Sequence, residues 1–138
     1  MTIMAYTDGA SRGNPGESGI GVILKDEDGN VLSSKCGYIG KATNNTAEYV
    51  ALATCLKIAQ QMKCDSLIVH SDSELMVRQM NGQYKVRDAG LKKHFQTIQQ
   101  IISALPFPFV LRHVPREKNH EADELANRGI DMKQRLRM

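Results

Sequence analysis

The chain lacks the marks of several protein classes. Its three cysteines, Cys36, Cys55 and Cys64, are odd in number and include no CxxC pair, so neither a disulfide framework nor a Cys-rich zinc site is expected. A reducing, cytoplasmic setting fits best. No stretch approaches the ~18 apolar residues of a membrane span, and the first residues carry no basic n-region ahead of an apolar run. The expectation is a protein neither exported nor inserted. Charge of one sign is also missing: 18 Lys+Arg against 15 Asp+Glu leave a net +3, too small to assign a polyanionic partner. Repeats, linkers and low-complexity segments are absent as well.

What is present suits one compact domain over residues 1–138. The 41% hydrophobic and 24% charged composition is ordinary for 138 residues. A chain of this length buries about two-thirds of the surface its unfolded form exposes, so it needs no disulfide or structural metal. Basic residues gather late, at Lys92 and Lys93, at Arg112, Arg116 and Lys118, and at Arg128, Lys133, Arg135 and Arg137. Solvated helix faces explain such clusters more often than nucleic acid does.

Local patterns predict the order βββ-α-β-αα-β-α. Thr2 to Thr7 is a β-type run ending at Asp8-Gly9, a turn signal, and residues 19–39 read as a hairpin about Asp28-Gly29-Asn30. Residues 43–46 offer several N-caps for a helix over Ala47 to Met62, which contains neither Gly nor Pro. Leu67-Ile68-Val69 reads as a strand covered on both faces, and Ser71-Asp72-Ser73 as the start of a helix ended by Gly82, with Ser71 and Glu74 at capping-box spacing. Apolar residues at spacings of three and four predict a helix over Asp88 to Ala104, stopped by Pro106. Phe107 to Val114 reads as the last strand, and Asn119 opens the last helix. Helical crossovers make the strands at Thr2, Leu67 and Phe107 parallel and adjacent, beside an antiparallel hairpin. Ligands of such sheets bind beyond the strands' carboxyl ends, where Asp8 and Asp72 are expected.

Taken singly, Asp8 suits a turn, Asp72 a helix cap and Asp123 a favourable place in a helix's first turn. Glu48 resists such a reading. Ala51, Leu52, Cys55, Ala59 and Met62 follow it at helical spacings and put it on the apolar face. An ionised carboxylate there costs several kcal/mol unless paired, so something positive should meet it. Asn127, four residues after Asp123, is placed to hold that carboxylate. Convergence of Asp8, Glu48, Asp72 and Asp123 on one sheet edge would demand a cation. Oxygen-only ligation, with no His or Cys at ligand spacing, points to Mg²⁺ or Mn²⁺. Several acids also allow a pair of ions ~3.5–4 Å apart, the arrangement suited to phosphodiester cleavage.

Five segments, in order along nearly the whole chain, carry a resemblance: Tyr6-Thr7-Asp8-Gly9-Ala10, Gly13-Asn14-Pro15-Gly16, Thr43-Asn44-Asn45-Thr46-Ala47-Glu48, Ser71-Asp72-Ser73-Glu74 and His120-Glu121-Ala122-Asp123-Glu124-Leu125-Ala126-Asn127. The chain resembles the type 1 ribonuclease H family, with its α/β fold of a mixed five-stranded sheet (three antiparallel strands, then two parallel ones) flanked by helices. The resemblance implies hydrolysis of the RNA strand of RNA–DNA hybrids by two Mg²⁺ ions, leaving 5′-phosphate and 3′-hydroxyl ends, in a cytoplasmic monomer. It places metal binding and catalysis at Asp8, Glu48, Asp72 and Asp123. It also implies 2′-hydroxyl contacts from Gly9, Asn44 and Asn45, a DNA-side contact from Asn14, and a DNA phosphate pocket that includes Thr43. Helix capping is the competing role for these asparagines, and Asn45 could do both.

Two departures bear on activity. Familiar bacterial members carry an extra helix and a basic, Trp-rich protrusion, whereas this chain has only residues 83–90 between Gly82 and Leu91, and no Trp. It is more similar to the short archaeal and bacterial subgroup, some of whose members also act on double-stranded RNA. Where the family has a loop histidine before its last Asp, local matching puts Arg116, and no catalytic role falls to His70, His94, His113 or His120. Two alternatives keep the fold: a catalytically weak module binding hybrid or double-stranded RNA, and an enzyme of DNA strand transfer or junction resolution.

Overall fold

A computed structural model describes residues 1–136; Arg137, counted among the late basic residues, lies outside the described residues. The first strands are β1 (Thr2–Arg12), β2 (Gly16–Lys25) and β3 (Val31–Ala42), followed by helix α1 (Asn44–Gln60) and strand β4 (Ser66–Ser71). Then come α2 (Glu74–Met80), α3 (Ala89–Ser103), β5 (Phe109–His113), a 3₁₀ turn (Arg116–Lys118) and α4 (His120–Met132). The sheet order is β3-β2-β1-β4-β5. β1, β2 and β3 pair antiparallel, and β1, β4 and β5 pair parallel, as the crossovers require.

Alternation along β1 and β2 separates two faces. Ile3, Ala5, Val22 and Leu24 join Leu52, Cys55 and Leu56 of α1 and Ile98 of α3 in the main apolar core, all nearly or wholly without exposure. The other face meets α4. Gly21 lies opposite Asp8 across the β1–β2 ladder, and a Cβ on it would stand 2.2 Å from the Ala122 carbonyl oxygen of α4. Only glycine lets the helix lie that close. Among the described residues no helix is long and apolar enough to cross a membrane.

Several boundaries differ from expectation, for local reasons. β1 runs four residues past Asp8 because Asp8 to Arg12 keep pairing with β2, from Gly21 to Glu17, while the parallel ladder to β4 stops at Thr7 and Ser71. Asp8 is therefore inside a strand and not in a turn. α1 starts at Asn44, before the expected Ala47, since Thr43 caps it: its Oγ1 accepts from the Thr46 N–H at 3.2 Å. Asn45 sits inside the first turn and is not the cap. Ser71 ends β4, and α2 is capped instead by Ser73, whose Oγ accepts from the Met76 N–H at 3.2 Å. Glu74 completes no capping box; its carboxylate accepts from Arg78 Nε at 2.9 Å. Asp72 thus lies between strand and helix. β5 begins at Phe109, after Pro108 rather than through it.

Candidate active site

The sheet splits beside Asp8. Past Thr7 and Ser71 β4 no longer accompanies β1, and Asp72 follows immediately in the chain. α1 approaches this gap from one face. A Cβ on Gly9 would stand 2.3 Å from the Ala47 carbonyl carbon and 2.4 Å from the Glu48 nitrogen, so glycine there admits the helix against the strand. The Gly9 N–H donates to Glu48 Oε1 at 2.8 Å.

Carboxylate oxygens of Asp8, Glu48 and Asp72 all lie within 4.8 Å of one another. Asp123, from the first turn of α4, stands outside that set of three but lines the same cleft, of about 480 Å³. Asp8 is 5% and Glu48 8% exposed. Burial, then the charges of Glu48 and Asp72, push the Asp8 carboxyl up to about 9, with Asp123 adding to the rise. Burial and the charge of Asp72 push Glu48 up to about 8 against the opposing Gly9 N–H. Such groups hold their protons at neutral pH until a positive charge enters.

The expected positive partner of Glu48 is not a side chain. Among the described residues no Lys or Arg forms an ion pair with Asp8, Glu48 or Asp72, and the Gly9 amide is the direct donor to Glu48. The donor set fits a hard divalent cation: clustered, oxygen-only and poorly reconciled without added charge. All four acids meet in this cleft, as expected: Asp8, Glu48 and Asp72 form the tightest set, and Asp123 stands close enough to raise the Asp8 carboxyl through a side-chain hydrogen bond. Asn127 holds Asp123 as expected: its Nδ2 donates to the Asp123 carbonyl at 3.0 Å and, more weakly, to Oδ1 at 3.5 Å.

Gly9, Asn44 and Arg116 line the cleft with the acids. Asn14, Thr43 and Asn45 do not, although the Asn14 Oδ1 accepts from the Asn44 N–H at 3.0 Å and so ties its loop to the start of α1. Arg12 also lines the cleft, and its guanidinium pairs with Asp131 at 2.6 Å and leans on the Asn127 carbonyl at 3.3 Å. Sequence reading missed it by ending β1 at Thr7. The available signal was alternation, for Asp8, Ala10 and Arg12 share one face once the strand is continued. His70 has a structural place: its Nδ1 lies 2.9 Å from the Ala5 carbonyl oxygen and its ring stacks on Tyr6.

A family profile described as Reverse transcriptase-like matches residues 6–129. Ribonuclease HI of Halobacterium salinarum is 36% identical over 129 residues, 94% of this chain and 64% of its own. Ribonuclease H of Methylococcus capsulatus is 34% identical over 143 residues, 94% of this chain and 90% of its own. The crystal structure of LC11-RNase H1 in complex with RNA/DNA hybrid is similar at a TM-score of 0.88 and 46% identity, over 94% of this chain and 97% of that one. The chain spans 64% of the Halobacterium relative and 36% of the bifunctional protein of Mycobacterium tuberculosis.

Proposed function

The chain belongs to the ribonuclease H family, and from that premise we propose that it is an endoribonuclease hydrolysing the RNA strand of RNA–DNA hybrids, with 5′-phosphate and 3′-hydroxyl products. The carrying observation is the trio of Asp8 and Glu48, both buried, and half-buried Asp72, whose oxygens crowd within 4.8 Å in one cleft. A relative at 46% identity solved with RNA/DNA hybrid supports the substrate.

Asp8, Glu48, Asp72 and Asp123 are the metal ligands in this reading. They would hold two Mg²⁺ ions, with Mn²⁺ as substitute, which when bound would supply charge neutralisation, water activation and stabilisation of the leaving 3′-oxygen. Asp8 holds the centre from a rigid strand, while the Gly9 N–H fixes one Glu48 oxygen and turns the carboxylate toward Asp8. Gly9, Asn44 and Asn45 face the 2′-hydroxyls by which RNA differs from DNA. Asn14 meets the DNA strand and Thr43 a DNA phosphate. Arg116 stands where a side chain on the 3₁₀ turn assists the water or the departing product. The whole fold acts as one catalytic unit and as a cytoplasmic monomer, a setting consistent with three free cysteines.

Labelled hybrid, double-stranded RNA, single-stranded RNA and DNA duplex, each with Mg²⁺, Mn²⁺ or chelator, test this directly. Hybrid cleavage that stops in chelator is expected. Binding without cleavage at any ion concentration would favour the weak binding module instead, and cleavage of DNA duplex would favour strand transfer or junction resolution. Double-stranded RNA reports whether the short residue 83–90 connection goes with the broader substrate range.

A further inference from the structure

Three helices open on side chains that cap them: Thr43 for α1, Ser73 for α2 and Asp88 for α3, each accepting an N–H three residues on. α4 does not. Asn119 occupies its N-cap position and is among the best capping residue types, yet its side chain makes no cap. It is 1% exposed and turned inward. Nδ2 donates to the Thr7 carbonyl at 2.9 Å and reaches Asp72 Oδ2 at 3.4 Å, while the Asn119 carbonyl accepts from the Asp123 N–H at 3.1 Å. Oδ1 is buried with no partner among the described residues.

Both the forgone cap and the unpartnered Oδ1 disfavour folding, so local helix stability does not explain this placement. Geometry does. Thr7 is the last β1 residue paired with β4, and Asp8 follows it; Asp72 begins the connection that leaves β4; Asp123 lies one turn into α4. One amide side chain and its own carbonyl thus touch all three segments where the sheet no longer joins them.

We propose that Asn119 is a positioning residue, clamping the end of the β1–β4 ladder and Asp72 to the start of α4 and so setting the mutual spacing of Asp8, Asp72 and Asp123. It acts through these carboxylates on divalent-ion binding, and the inference rests on the metal-dependent reading above. Outer groups that orient metal-binding side chains typically change affinity or activity by roughly 10–100-fold when removed.

Asn119→Ser separates positioning from capping, because serine caps a helix well but is too short to span to Thr7 and Asp72. Mn²⁺ binding without substrate, read by calorimetry, should weaken about 10–100-fold. Hybrid cleavage should lose kcat with KM unchanged, and the double variant with Asp72→Asn should lose less Mn²⁺ affinity than the two single losses combined. Wild-type affinity and kcat in Asn119→Ser, or additive losses in the double variant, would overturn the inference. Should that variant not fold, Mg²⁺ titration of the wild type serves: the Asn119 side-chain amide resonances must shift in step with saturation, and their standing still would overturn it. Absence of ion binding by the wild type itself would sink the metal reading along with the inference.

Discussion

One helix carries two buried regions of opposite energetic sign. Along α1, Leu52, Cys55, Leu56 and Ala59 are wholly buried among β1, β2 and α3, where each apolar side chain favours the fold. One turn before Leu52, Glu48 is nearly as buried, but its neighbours are Asp8 and Asp72. Depth is the same and chemistry inverts the sign. The apolar layer supplies the rigidity with which Glu48 is held in a place it would otherwise leave, so the core holds together an acid cluster that opposes folding until a cation arrives.

Substitutions at the two ends of α1 should therefore dissociate activity from stability. Asp8→Asn is expected to abolish hybrid cleavage, a loss beyond the roughly 100-fold of outer-shell changes, while raising the unfolding temperature of the ion-free protein. A hybrid-cleavage time course and thermal unfolding in chelator check both halves. At the apolar end, Leu52→Ala should remove about 2–5 kcal/mol of stability by cavity formation, read by denaturant titration. Its surviving folded fraction should still cleave.

Protons sharpen the contrast further. In the unfolded chain Asp8 and Glu48 ionise near pH 4, whereas in the ion-free fold they are pushed up to about 9 and about 8. Between those limits the folded state binds more protons, so stability must fall as pH rises from about 4 to about 9. Unfolding in chelator should follow that slope, and Asp8→Asn should flatten it. A slope of the opposite sign would mean that both acids are ionised and paired. Smaller effects lie away from the acids. Thr43→Ala removes the cap of α1 and should cost about 1 kcal/mol in denaturant titration. Hybrid binding should weaken steeply with added salt despite the net +3, because counterion release follows local phosphate contacts; binding unchanged by salt would place the substrate away from the basic residues.

Legibility followed the range of the interactions. Element order and sheet pairing were readable because period and crossover geometry are local and strict. Glu48 was readable because its place on an apolar stripe is a contradiction visible in sequence alone. β1 beyond Thr7 was not, since Asp8-Gly9 carries a strong turn signal and only pairing with β2, a tertiary event, overrides it. Arg12 was lost with it. Asn119 looked like an ordinary cap because its inward turn depends on the Thr7 carbonyl, 112 residues away in the chain. How closely Asp123 approaches the other three acids depends likewise on how α4 lies over Gly21, which no spacing encodes.

Crowded as they are, these acids form a divalent-ion site. Thermal unfolding of wild type and Asp8→Asn at pH 7.5, each titrated with Mn²⁺, tests it most directly, since an ion bound only by the fold raises stability in proportion to the logarithm of its excess over Kd. A crossover is expected: the variant is the more stable protein in chelator, and the wild type overtakes it as Mn²⁺ rises. Parallel curves, with wild type and variant gaining equally or not at all, would contradict it.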